Sequence, residues 1–162
     1  MLLPACARRK PQIYFISLGD VPPQATEQLM AHYKARFGVT IKTLPAIGLH
    51  EGLVSPNRNQ IAAEVLIALM REKYPSVVND LNTVVIGLTP ADIYIRSYDW
   101  DFAFNLRQEK RLAVVSMARM DPVNFGQPAN DVLLHTRLRK MVTKNIGVLY
   151  FRKSLNRNPR SV

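Results

Sequence analysis

The segment that most restricts the fold is residues 82–88, NTVVIGL, a run rich in β-branched residues with no polar alternation. Such a strand needs apolar cover on both faces, so it belongs in the middle of a sheet flanked by helices. The chain on either side supplies those partners. Residues 12–18 (QIYFISL) alternate and are rich in β-branched and aromatic side chains, which predicts the first strand. Pro22 and Pro23 open a helix, because proline is tolerated where the backbone amide has no partner. Leu29, Met30, Tyr33 and Phe37 line one face of that helix, and Gly38 ends it. Residues 39–44 follow as a second strand, giving a β-α-β unit with a parallel pair.

Residues 45–59 read as irregular. Ser55-Pro56 is expected to cap a second helix over 57–73 with Ile61, Val65, Leu66, Leu69 and Met70 inward, stopped by Tyr74-Pro75-Ser76. After the central strand come short extended pieces at 93–95 and 101–106, around an exposed aromatic segment of Tyr94, Tyr98, Trp100, Phe102 and Phe104. Residues 111–117 (RLAVVSM) form another strand, and 120–130, with Pro122, Gly126 and Pro128, form a loop. Leu134, Leu138, Met141 and Val142 then recur at helical spacing, with Arg137, Arg139 and Lys140 between them. Asn130 or Asp131 caps this last helix, which starts near residue 131. The order β-α-β-α-β-β-β-α predicts a single α/β domain over 11–162, with a mixed twisted sheet and helices packed on it.

At 162 residues and 48% hydrophobic composition, the chain is long enough to bury a sizeable core. Its longest apolar runs fall far short of the roughly 20 residues that cross a bilayer. The net charge of +10 is unevenly placed: Asp131 is the last acidic residue, followed by Arg137, Arg139, Lys140, Lys144, Arg152, Lys153, Arg157 and Arg160. A basic end of this kind suits phosphates or anionic head groups. With no RNA-binding module pattern or Gly-rich segment beside it, a solvated helix face and tail is the favoured reading. Nucleic acid is therefore not the expected partner. The finish at NPRSV has no closing element, as in a chain cut short at its C-terminus.

The single cysteine, Cys6, excludes an internal disulfide and a Cys-based zinc site. Leu3-Pro4-Ala5-Cys6 looks like the end of a bacterial lipoprotein signal, but only Met1 and Leu2 precede it, where a secretory segment needs about 7–15 apolar residues. Residues 1–10 are thus expected to be a flexible leader or signal remnant. The chain as written is placed in the cytoplasm, and a start further upstream would make Cys6 a lipid anchor.

Several short segments, taken in order, resemble the archaemetzincins, a family of zinc-dependent peptidases. Pro56-x-Arg58-x-Gln60 is similar to that family's DPxRxQ. Residues 85–94 (VIGLTPADIY) are similar to VLGIT..DLY, Phe102-x-Phe104 to NFVFG, and Val114-Val115-Ser116-x-x-Arg119-Met120 to VVSxxRL. Spacing and order agree from about residue 12 to 150. The resemblance implies a zincin-like (metzincin-type) fold whose antiparallel strand, at 102–106 or 111–117, flanks a cleft and offers its edge to a peptide. It also implies that Arg58, Asp92 and Arg119 form buried, fold-holding ion pairs.

The family's helix carries HExGHxxGxxHC, preceded by a Lys that falls here at Lys140. The first zinc His position is then Lys144, the general-base Glu is Asn145, the Gly is retained as Gly147, and the second His is Val148. The third ligand position is Ser154, followed by Leu155 in place of Cys. Zinc takes imidazole, thiolate or carboxylate donors at about 2.0–2.3 Å, and hydrolysis needs an activated water. An ammonium, an isopropyl group and a hydroxyl do not supply them. His50-Glu51 also fails the HExxH spacing, because Val54 stands four residues after His50.

No catalytic, metal or cofactor-binding residue is assigned. The expectation is a catalytically inactive member with a peptide-binding or scaffold role. A peptidase whose ligands come from outside this chain is the alternative, His32, His50 and His135 being scattered. A binder of nucleic acid or anionic surfaces through the basic C-terminal helix is a third reading.

Overall fold

A computed structural model describes residues 10–155 of the chain. Cys6 with most of the leader, and Arg157 and Arg160 of the basic tail, lie outside the described residues. The chain runs β1 (Gln12–Leu18), α1 (Pro23–Phe37), β2 (Ile41–Ile47), a 3-10 turn (Glu51–Leu53), β3 (Val54–Ser55), β4 (Gln60–Ala62) and α2 (Ala63–Lys73). It continues with α3 (Pro75–Val78), β5 (Thr83–Thr89), β6 (Ile93–Tyr94), β7 (Asn105–Gln108), β8 (Leu112–Ser116), a second 3-10 turn (Pro122–Phe125) and α4 (Asp131–Leu149).

The main sheet has the order β2-β1-β5-β8-β7. Four strands are parallel, and β7 closes one edge antiparallel to β8, with Asn105 opposite Val115 and Gln108 opposite Leu112. As its composition requires, β5 is central and buried along its whole length. One face of the sheet is covered by α1 and α4, through Leu29, Tyr33, Leu138, Val142, Ile146 and Leu149. The other is covered by α2, through Leu66, Ile67 and Met70, and by a small second sheet of β3, β4 and β6. Gly87 sits where this second layer presses closest. A Cβ there would lie 2.8 Å from both Leu18 Cδ1 and Met70 Sδ, so an added side chain would make the ends of those two core residues shift.

Local signals placed the helix ends well. Gly38 closes α1 in the left-handed conformation (φ 64°), its N–H returning to Lys34 O and Tyr33 O. Asn130 caps α4, its side chain accepting from Leu133 N at 2.9 Å.

Two expected boundaries are corrected. The second helix starts at Ala63 rather than at 57, because Ile61 and Ala62 pair in parallel with Ile93 and Tyr94. The second strand runs through Pro45 to Ile47 instead of stopping at 44. β2 is an edge strand, where a missing amide donor costs no ladder bond. The aromatic segment is also split. Tyr98, Trp100 and Phe104 are exposed, while Tyr94 and Phe102 are half-buried. Among the described residues, no helix is long and apolar enough to cross a membrane.

Candidate functional site

The helix period distributes the side chains of α4 among distinct surroundings. Leu138, Val142, Ile146 and Leu149 are buried against the sheet. Tyr33 of α1 pins the helix from the side, its hydroxyl lying 2.8 Å from Thr143 Oγ1 and donating to Arg139 O at 3.2 Å. Burial pushes the Tyr33 phenol up to about 12, against the smaller opposing effects of Thr143 and Arg139.

Asn145 is wholly buried beside the apolar stripe. Its Nδ2 donates to Met141 O at 2.9 Å, and its Oδ1 accepts from Arg107 Nη1 at 3.1 Å and from Asn105 Nδ2 at 3.3 Å. The two donors come from β7, so this one amide ties the edge strand to the helix. Burial lowers the Arg107 pKa.

An adjoining side of α4 presents Arg137, Lys140, Met141 and Lys144 to a cleft of about 620 Å³. Phe104, which leads into β7, and Phe125 of the second 3-10 turn are aromatic residues in its lining, together with Arg119, Met120 and Gln127. Arg137 Nη1 donates to Met120 O at 2.9 Å, holding the guanidinium at the cleft wall.

Beyond Arg119 and Phe125 the cleft adjoins a second cavity of about 420 Å³ that also contains Arg58 and Asp92. Here the polar residues of the separate sequence segments converge. Arg119 Nη2 meets Asp92 Oδ2 at 2.7 Å. Gln60 Nε2 donates to the same Asp92 oxygen at 2.9 Å and to Asp101 O at 2.8 Å. Arg58 Nε donates to Gln60 Oε1 at 2.9 Å, and its Nη2 donates to Trp100 O and Asp101 O. The guanidinium of Arg58 lies 4.5 Å from the Tyr94 ring centroid, and that of Arg119 lies 4.5 Å from the Phe102 ring centroid. The hydrogen bond to Asp92 raises the Arg119 pKa above its ordinary value.

The expected ion pairs are thus corrected in two respects. Only Arg119 pairs with Asp92, and the pair is partly open to solvent, with side-chain exposures of 33% and 20%. Arg58 reaches Asp92 through Gln60, which sequence reasoning quoted but gave no role.

The chain is 28% identical over 144 residues to an archaemetzincin of Thermococcus kodakarensis, covering 85% of this chain and 75% of that protein. The chain is an archaemetzincin homologue. Its fold is similar to a zinc-dependent peptidase from Methanocorpusculum labreanum, with a TM-score of 0.73, 23% identity, and 91% of this chain and 84% of that one covered. An archaemetzincin from Methanopyrus kandleri gives a TM-score of 0.68 at 23% identity, covering 95% of this chain and 81% of that one. A malonate complex of the Archaeoglobus fulgidus archaemetzincin gives 0.66 at 21% identity, covering 86% and 78%. No family model matches the chain.

The zinc that an archaemetzincin fold implies does not fit the residues this homologue places on α4. Lys144 is exposed and carries an ammonium, Asn145 is turned inward and fully engaged with Arg107 and Asn105, and Val148 is an alkyl group one turn beyond Lys144. Ser154 lies exposed after the helix. His32 is on α1, His50 precedes the first 3-10 turn, and His135 lines a separate groove with Gln24, Gln28 and Arg139. Among the described residues no three His, Cys, Asp or Glu side chains gather as a metal site would require.

Proposed function

We propose that this chain is a non-catalytic archaemetzincin-like domain that binds an extended peptide along the edge of β7. The observation that carries the proposal is the side-chain set of α4: Lys144, Asn145 and Val148 stand at the aligned positions of the first ligand, the base and the second ligand. Neither an ammonium nor an alkyl group donates a lone pair to a divalent cation at neutral pH, and a neutral amide is no general base. The peptide surface does not depend on those donors. β7 remains an antiparallel edge strand beside an open cleft, the arrangement that β-strand addition uses.

Zinc content after purification tests this directly. The expected result is a protein with far less than one equivalent of zinc and no cleavage of a peptide library. Stoichiometric zinc, removed by a chelator together with measurable peptide hydrolysis, would show that ligands reach the site from elsewhere and that the molecule is a working peptidase.

A further inference from the structure

Where a zinc-binding helix gathers donors around a cation, α4 itself presents cations. Arg119, Arg137, Lys140 and Lys144 line the 620 Å³ cleft, and no carboxylate lines it with them. Asp92 neutralises Arg119, and the other ion pairs among the described residues are Arg71 and Arg111 with Glu109, elsewhere on the surface. Lys140 and Lys144 therefore have no acidic partner among the described residues. Phe104 and Phe125, 39% and 52% exposed, are apolar neighbours of these charges. An anion entering between them meets several positive groups at once.

The backbone beside the cleft specifies what the anion is attached to. Ser116 N donates to Phe104 O at 2.9 Å, and the β7–β8 register continues from Asn105 opposite Val115 to Gln108 opposite Leu112. In an antiparallel ladder the hydrogen-bonded pairs alternate, so Leu106 also faces β8, while the backbone groups of Asn105 and Arg107 point outward from the sheet edge. Those groups are completed by another peptide backbone. A nucleic acid strand has no matching series of amides.

We infer that the cleft selects acidic peptides: a segment added to β7 places Asp or Glu side chains against Lys140 and Lys144. This rests on the peptide-binding reading above and names its ligand class. Alternate residues of an extended peptide share one face about 6.6–6.8 Å apart. A sequence with an acid at every second position would therefore direct its carboxylates toward one side, that of the cleft.

The test measures fluorescence anisotropy of the purified chain with labelled peptides of roughly ten residues, long enough to pair along β7. They alternate Thr with Glu, Gln or Lys. A Glu-Thr peptide N-methylated at alternate amides and an oligothymidylate of similar charge complete the set. The Glu-Thr peptide is expected to bind at least about tenfold more tightly than Gln-Thr near 0.05 M salt, with the advantage shrinking near 0.5 M. The K140E/K144E variant should reverse the preference toward Lys-Thr, an outcome that misfolding cannot produce.

Equal binding of Glu-Thr and Gln-Thr, or an unchanged preference in K140E/K144E, overturns acid selection while leaving peptide binding in place. Tighter binding of the oligothymidylate overturns it in favour of nucleic acid. If no peptide binds, or N-methylation has no effect, the peptide-binding reading itself fails.

Discussion

The two sides of α4 follow different rules. On the inner side, each residue has a specific neighbour: Leu138, Val142, Ile146 and Leu149 fit the sheet, and Asn145 holds Arg107 and Asn105. On the outer side, Lys140 and Lys144 meet a cleft in which no acid faces them. The inner side fixes the helix against the sheet and makes the fold recognisable. The outer side is free of such neighbours, and there Lys140 and Lys144 are exposed to the cleft. A scaffold and a metal site built on the same helix are thus separable, because the period of the helix keeps their residues on different faces.

The strongest challenge to that separation is Asn145, which the resemblance sets at the place of the catalytic base yet which is bonded within the framework. Asn145→Ala removes the acceptor for two donors of β7 and leaves a small void, and should cost roughly 2–3 kcal/mol. Urea unfolding of the variant measures this. A loss within about 0.5 kcal/mol, the range of an ordinary surface change, would mean that Asn145 belongs to the cleft side after all. Because Asn105 and Arg107 lie in β7, the same variant should also loosen the edge strand, visible as faster amide exchange at Leu106 than at Val114.

The lateral pin is probed by pH. Tyr33 has its folded pKa raised to about 12 from an ordinary value near 10, so its contribution is fully present below pH 10 and is lost as pH rises through 12. Between those values the unfolded chain ionises first, and stability should fall by about 2 kcal/mol on this account alone. The comparison is with Tyr33→Phe, which lacks the ionising phenol. That variant should begin about 1 kcal/mol less stable at pH 8, having lost the hydroxyl's hydrogen bonds, and should show a shallower alkaline decline. Parallel declines would place the phenol in contact with solvent, against its 1% exposure.

How much of this was legible before the fold was known depends on the distance over which each signal acts. The ends of α1 and the start of α4 are written in Pro23, Gly38 and Asn130, whose effects are confined to one turn. The start of α2 is not, because what keeps Gln60–Ala62 out of the helix is pairing with Ile93 and Tyr94, about thirty residues away. The same limit applies to the site. Arg58, Gln60, Asp92 and Arg119 could be noted as parts of ordered segments, but the bridging role of Gln60 exists only where β4 and the turn after β5 meet. At position 145 the residue type alone reveals an amide where a base would need a carboxylate. The hydrogen bonds from residues 38 and 40 positions earlier came only with the coordinates.

The smallest expected change in stability is the most informative about the comparison. K140E/K144E alters the charge of the cleft by four units, yet it touches no buried contact: both lysines are exposed, neither is in an ion pair among the described residues, and both positions tolerate glutamate in a helix. Reversing both charges removes their repulsion from Arg119 and Arg137, and replaces the mutual repulsion of two lysines four residues apart by that of two glutamates, so the changes largely offset. The free energy of unfolding should therefore stay within the range of an ordinary surface substitution, about 0.5 kcal/mol in either direction, while the peptide preference reverses. A loss comparable to that of Asn145→Ala would show that the cleft lysines hold the fold together, and the two sides of α4 would then not be separable. A clear gain in stability would sharpen the distinction instead, because it would reveal positive charges kept crowded at a cost to the folded state, as a binding surface requires and a framework does not.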